Sequence, residues 1–240
     1  MWGWSFGYFG FWMAWSVLWA SAGLADPATK LHRVETLSAA AGVHVTVTLG
    51  KPHSIQTLVH QGDLDRLELV QEGTNLSISR DTSWGSNSEP NLDRFEVHVT
   101  LPQLEKVSAR TGAQVKIREL FTSNFTASSE TGALIEVSDA MVGVLELDVA
   151  TGGDIRVDGT CWTSNVAAAT GGQVLADHLT CQSVEASASD GATARLFATG
   201  TADLSAQKGA TLVLSGTAVV VSQRVESWAT IRDWSSSVSN

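Results

Sequence analysis

From Val43 the chain alternates strictly, with Val43, Val45, Val47 and Leu49 on one side and His44, Thr46 and Thr48 on the other. A period of two marks a strand with one buried face. Gly50-Lys51-Pro52 ends this strand. A second strand is predicted over residues 55–59, then a short turn or helical segment over 63–66. Residues 67–70 and 76–78 read as strands joined by the turn Gln71-Glu72-Gly73-Thr74. Residues 81–91 are polar and hold Gly85 and Pro90, so they read as a loop. Phe95, Val97 and Val99 then resume the alternation. No segment after residue 30 sustains a 3.6-residue apolar period, and the pattern is all-β.

The second half of the chain repeats. Glycines fall at Gly112, Gly132, Gly152, Gly171, Gly191 and Gly209, with spacings of 20, 20, 19, 20 and 18. Thr precedes the first four, and Asp190 and Lys208 precede the others. Three residues after each glycine stands Val115, Ile135, Ile155, Val174, Ala194 or Leu212. Five before it stands Val107, Ala127, Leu147, Val166, Ala186 or Leu204. Three before it runs a column of small residues, among them Ala109, Ser129 and Ala168, which suits a narrow interior.

One such repeat cannot bury its own apolar face. Stacked copies can, because each strand then pairs with the coil above and below at about 4.8 Å per coil. The pattern therefore predicts a parallel β-helix of about twenty-residue coils, with the glycine at a corner that needs positive φ. In that phase Ile155 points inward and Arg156 outward. The column four after each glycine begins Lys116, Glu136, Arg156, as an exposed ladder of alternating charge would.

The leader changes the picture. Residues 1–25 carry no charge and hold five of the nine tryptophans and the one tyrosine. An apolar run ending in Ala20-Ser21-Ala22 and Gly23-Leu24-Ala25 reads as a signal peptide cleaved after Ala22 or Ala25. A retained membrane anchor is the alternative, since the run is long enough to span a bilayer. Residues 26–34 form a short N-terminal segment, 35–225 the β-helix domain, and 226–240 a C-terminal tail or cap. The net charge of −10, without a Lys/Arg cluster, argues against nucleic acid as a partner.

Cys161 and Cys181 each lie ten residues before a repeat glycine, so they occupy one position in successive coils. Coil spacing allows a disulfide, although directly stacked side chains place their Cβ atoms slightly too far apart for relaxed geometry. Two stacked thiols are the other reading. Two cysteines with no clustered histidine do not make a metal site, and no cofactor motif is present. Asp158 and Asp177 share one offset in adjacent coils, with His178 beside the latter and no Lys or Arg at those offsets. They are candidate site residues, although Asp is common in solvated turns. Trp84 in the 81–91 loop is a further candidate contact, against the plainer reading that it covers an edge of the helix.

The strands opening Gly42-Val43-His44-Val45-Thr46-Val47, Asp65-Arg66-Leu67-Glu68-Leu69, Gly73-Thr74-Asn75-Leu76-Ser77-Ile78 and Phe95-Glu96-Val97-His98-Val99-Thr100-Leu101-Pro102, followed by the glycine repeats, resemble the head GIN domain of putative auto-transporter adhesins. The resemblance spans roughly residues 35–225. It implies a right-handed parallel β-helix and a bacterial envelope protein, in the periplasm or at the cell surface. No catalytic motif comes with it. Three functions follow as expectations. The first is a non-enzymatic, adhesin-like module binding an envelope protein or glycan. The second is a polysaccharide-acting enzyme. The third is a structural module stacking end to end as a homo-oligomer.

Overall fold

The computed structural model describes residues 33–50, 53–61, 64–81 and 94–235. The leader and Trp84 lie outside the described residues. The strands are β1 (Thr36–Ala39), β2 (His44–Leu49), β3 (Ser54–Gln61), β4 (Leu67–Glu72), β5 (Asn75–Arg80), β6 (Arg94–Leu101), β7 (Lys106–Arg110) and β8 (Gln114–Arg118). They continue as β9 (Phe121–Glu130), β10 (Leu134–Ala150), β11 (Asp154–Ala168), β12 (Gln173–Ala188), β13 (Thr193–Ala206), β14 (Thr211–Gly216), β15 (Val219–Val225) and β16 (Thr230–Ser235). One 3₁₀ turn, Leu64–Arg66, stands where the sequence predicts a turn or helical segment. The chain is a parallel β-solenoid with coils of about twenty residues, as the glycine period predicts.

Two successive left-handed residues make the repeat corner. The glycine has φ near 70° at Gly112, Gly132, Gly152 and Gly171, and the residue before it also has positive φ, near 50°. Such a pair of central residues makes a type I′ turn. The turn amide also ties one coil to the next: Gly152 N–H donates to Thr170 O at 3.1 Å, and Gly171 N–H to Asp190 O at 3.0 Å. The column extends past the repeat glycines. Ala41-Gly42 forms the same corner at one end, and Ser227-Trp228 at the other, with φ of 52° and 67°.

Burial shows a three-sided coil. In β10 the buried positions are Ile135, Val137, Ala140, Val142, Leu145, Leu147 and Val149. The alternation skips twice, after Val137 and after Val142, and each skip is a corner. Two longer sides and one short side result. The interior is a stack of matching columns: Val115, Ile135, Ile155, Val174, Ala194 and Leu212 are all buried. Arg156 beside Ile155 is exposed.

The ends are built differently from the middle. The chain starts one layer in: β1 pairs with both β5 and β7, and β2 with both β6 and β8. The later strands β5 and β6 therefore form an outer layer beyond β1 and β2. That layer is finished by antiparallel partners, β4 on β5 and β3 on β6. At the other end, residues 226–235, expected to be a tail or cap, carry β16, which pairs in parallel with β14. In this last coil Gln223 stands over Leu204 and Asp233 over Leu214. Polar and charged residues at inward positions interrupt the apolar columns there, a device that discourages further strand pairing.

The phase of the repeat is testable with two neighbouring substitutions. Ile155→Asp places a charge in a fully buried column and is expected to cost several kcal/mol or prevent folding. Arg156→Asp is expected to stay within about 1 kcal/mol, because only an exposed ion pair is lost. Denaturation curves of the two variants check this, and equal midpoints would contradict the burial pattern.

Candidate binding face

The three sides of the coil differ in charge. Along the side that follows the glycine corner, Lys116 Nζ lies 3.1 Å from Glu136 and Arg156 Nη1 lies 3.5 Å from the same carboxylate. This is the ladder that the sequence column predicts. It is solvent-exposed and adds little to stability. The side that precedes the corner is acidic toward its middle, with Glu146, Asp148, Glu185 and Asp203 lining one open groove. Burial pushes the Asp148 carboxyl above the usual carboxylate range, and Glu146 adds to the rise while Lys106 opposes it.

Asp158, Asp177 and His178 line one open groove, but the two carboxylates do not stack directly as their shared offset suggests. The register pairs Arg156 with Leu175 and then Asp158 with His178, so the coil of Asp177 carries one extra residue at that corner. Asp158 holds the corner of the preceding coil, where its Oδ1 accepts the Asp139 N–H at 2.9 Å, and Asp139 is itself left-handed, with φ of 55°. Asp tolerates that conformation. Asp177 Oδ1 lies 3.7 Å from His178 Nδ1, and its Oδ2 lies 4.0 Å from Arg195 Nε. No Lys or Arg shares the offset of this carboxylate, yet one reaches it from a different column. Arg195 comes from the glycine-plus-four column of the next coil, and the bulge brings it within reach.

The short side carries no charge at all. Residues 120–125, 140–145, 159–164, 179–184, 198–202 and 216–222 hold no Asp, Glu, Lys, Arg or His. On a protein of net charge −10, this neutral band runs the length of six coils. It also presents large apolar side chains to solvent. Phe121 is 65% exposed, Met141 60% and Trp162 69%. Phe121 lies beside Met141 in the ladder. Trp162 is opposite Gly143 on one neighbour and Gln182 on the other, by the register of the flanking residues. Gly143 leaves bare backbone under that position. A Cβ there would fall 2.5 Å from Ser123 O, so no larger residue fits without a backbone shift. Thr160, Thr180 and Gln182 are exposed around the indole. Together they line a shallow groove of about 860 Å³.

Cys161 and Cys181 form the floor of this groove. They face each other in register and are joined as a disulfide, with Cα atoms 4.5 Å apart. The bond ties the coil bearing Trp162 to the next one. Apart from the two cysteines, no residue on this side stands out by its offset from the glycines. The available signal is an uncharged stretch that in every coil includes the residues eight to eleven after the repeat glycine.

The comparisons with known proteins agree with this architecture. The family described as "Putative auto-transporter adhesin, head GIN domain" matches residues 34–218. The chain belongs to that family. Among solved structures, it is similar to a putative adhesin from Bacteroides fragilis, with a TM-score of 0.75 at 18% identity over 85% of this chain and 94% of the other. It is also similar to a putative lipid binding protein from Parabacteroides distasonis, at a TM-score of 0.63 and 13% identity over 85% and 94% of the two chains. A putative adhesin from Parabacteroides merdae gives 0.58 at 12% identity over 85% and 92%. At these identities the likeness is one of fold. No curated protein matches the chain. Among the described residues no group of three or more His, Cys, Asp or Glu could hold a metal ion, and no helix is long and apolar enough to cross a membrane.

The floor of the groove gives the next test. Protein isolated without reductant is expected to leave both cysteines unlabelled by a thiol reagent, and to label both after reduction and unfolding. Replacing both by Ala is expected to cost up to about 3 kcal/mol in denaturant unfolding, the loop-closure value for a loop of about twenty residues. Two labelled thiols in the unreduced folded protein would contradict the bond.

Proposed function

We propose that this protein is an exported, non-enzymatic binding module of the bacterial envelope, adhesin-like in action, that meets its partner through the uncharged short side of the solenoid. The observation that carries this reading is the neutral band with Phe121, Met141 and Trp162 exposed on it. Apolar side chains grouped on an otherwise charged surface mark interaction sites. The leader is read as the address, since an apolar run ending in small residues is the h-region and cleavage site of a signal peptide, although no Lys or Arg precedes it. The family of adhesin-like envelope proteins supports the same location.

One rival keeps a specific observation. A polysaccharide-acting enzyme needs a carboxylic acid with a raised pKa beside a second carboxylate, and Asp148 with Glu146 is the pair nearest that description. Asp158 and Asp177 do not supply one, since Asp158 is engaged in holding a corner. A lipid-binding role has less support. Membrane surfaces attract basic residues, and the exposed apolar side has none.

The reading is tested by retention on isolated envelope material from the producing bacterium. The triple variant Phe121→Ser, Met141→Ser, Trp162→Ser is expected to be retained at least about tenfold less, one factor of ten being the loss of about 1.4 kcal/mol. Its melting temperature is expected to match the parent, because all three side chains are exposed. Equal retention of the two proteins would contradict the proposed face. Turnover of polysaccharide that Asp148→Asn abolishes would move the enzyme reading to first place.

A further inference from the structure

Resting on the short side as the binding face, we propose that the groove at Trp162 is a subsite for a neutral saccharide. A pyranose ring would stack on the indole, and its hydroxyls would meet Thr160, Thr180 and Gln182. Four observations lead there.

The first is size. The neutral band is about six residues wide and six coils long, which is on the order of 600 Å² by strand rise and spacing. A stable protein partner covers about 800 Å² on each side. A band this narrow suits a linear ligand lying along the solenoid axis.

The second is charge. Every residue lining the groove is uncharged: Thr122, Met141, Thr160, Trp162, Thr180 and Gln182 are representative. Burying a ligand's charge against such a surface, with no counter-ion, is costly. Phosphorylated, sulfated and uronate ligands are therefore disfavoured, and the protein's net charge of −10 repels them further. Anionic membranes are disfavoured on the same ground, since attraction to them comes from Lys and Arg near the surface.

The third is the mixture of groups. Phe121, Met141 and Trp162 offer apolar surface over three consecutive coils, about 10 Å at the spacing of paired strands. Hydroxyls and an amide interrupt it. A lipid chain would leave these polar groups without partners. A sugar ring has both kinds of surface. The face of its ring bears C–H groups with slight positive charge, which suit the negative face of an indole. Its rim bears hydroxyls that both donate and accept, as do Thr and Gln side chains.

The fourth is rigidity. The Cys161–Cys181 bond lies under the groove, and Gly143 opposite Trp162 admits no side chain. A surface already held in place binds a weak ligand with less loss of conformational entropy.

The test uses the purified protein with five neutral hexasaccharides, namely cellohexaose, maltohexaose, laminarihexaose, mannohexaose and chitohexaose. Hexagalacturonate and phosphatidylcholine vesicles serve as the charged and lipid comparisons. Calorimetry measures affinity. The Trp162 indole N–H resonance, assigned by its absence from Trp162→Phe, reports the site. At least one neutral hexasaccharide is expected to bind and to shift that resonance. Trp162→Ala is expected to weaken binding about tenfold, the upper range for one aromatic contact, and Trp162→Phe to weaken it less. Binding by none of the five overturns the saccharide assignment, as does binding that Trp162→Ala leaves unchanged. Preference for hexagalacturonate or for vesicles overturns it too. In each of those cases, loss of envelope retention by the triple variant would still uphold the short side as the binding face, so the two readings fail separately.

Discussion

Parallel stacking of coils is the constraint from which the rest of this molecule follows. Each strand pairs with the same strand one coil away, so a side chain's nearest neighbours are the residues at its own position above and below. A column must therefore be uniform in kind. Inward columns have to be apolar and of matched size, as Val115, Ile135, Ile155 and Val174 are. Where the interior narrows toward the glycine corner the column shrinks to Ala109, Ser129, Ala168 and Ala206, all buried. Corners must turn at the same place in every coil, and the left-handed Thr-Gly pairs do this. Outward columns are freed from packing, and there charge is sorted by side.

That sorting connects the fold to what the protein can do. One long side alternates in sign through Lys116, Glu136 and Arg156, which neutralises it locally. The other gathers carboxylates, and there burial, with Glu146 nearby, raises the Asp148 pKa. The short side excludes charge altogether and shows its apolar groups to solvent. Nothing in coil stacking requires this last arrangement, because Lys and Glu at positions such as Met141 or Trp162 would leave the interior untouched. Exposed Met and Trp gain nothing in the isolated fold from facing water. On the proposed function, a contact made by that side accounts for their presence.

The glycine spacing made the architecture legible, because a corner with positive φ leaves a residue type behind. Cys161 and Cys181 were legible as a stacked pair for the same reason. What escaped was anything downstream of a slip in register. Asp158 and Asp177 share an offset from their glycines, yet one extra residue in the second coil aligns Asp158 with His178. The neutral side lies beyond that corner, so its columns drift: Phe121 and Met141 stand nine residues after their glycines and Thr160 eight. Counting from the glycines blurs such a column, whereas the run of uncharged residues survives the slip. The outer layer of β3 to β6 was hidden for another reason. Its strands alternate like any others, and no local pattern says that β1 and β2 lie inside the layer formed later by β5 and β6.

The central claim is that binding resides on the short side and depends on its neutrality. The most direct measurement compares single carboxylates introduced at exposed positions on two sides, Thr180→Glu on the short side and Ser187→Glu on the acidic one. Both variants are expected to melt within a few degrees of the parent, since surface substitutions are usually within about 0.5 kcal/mol. Retention on isolated envelope material is expected to fall at least severalfold for Thr180→Glu and to be unchanged for Ser187→Glu. Equal retention of the two variants, or loss confined to Ser187→Glu, would contradict the account.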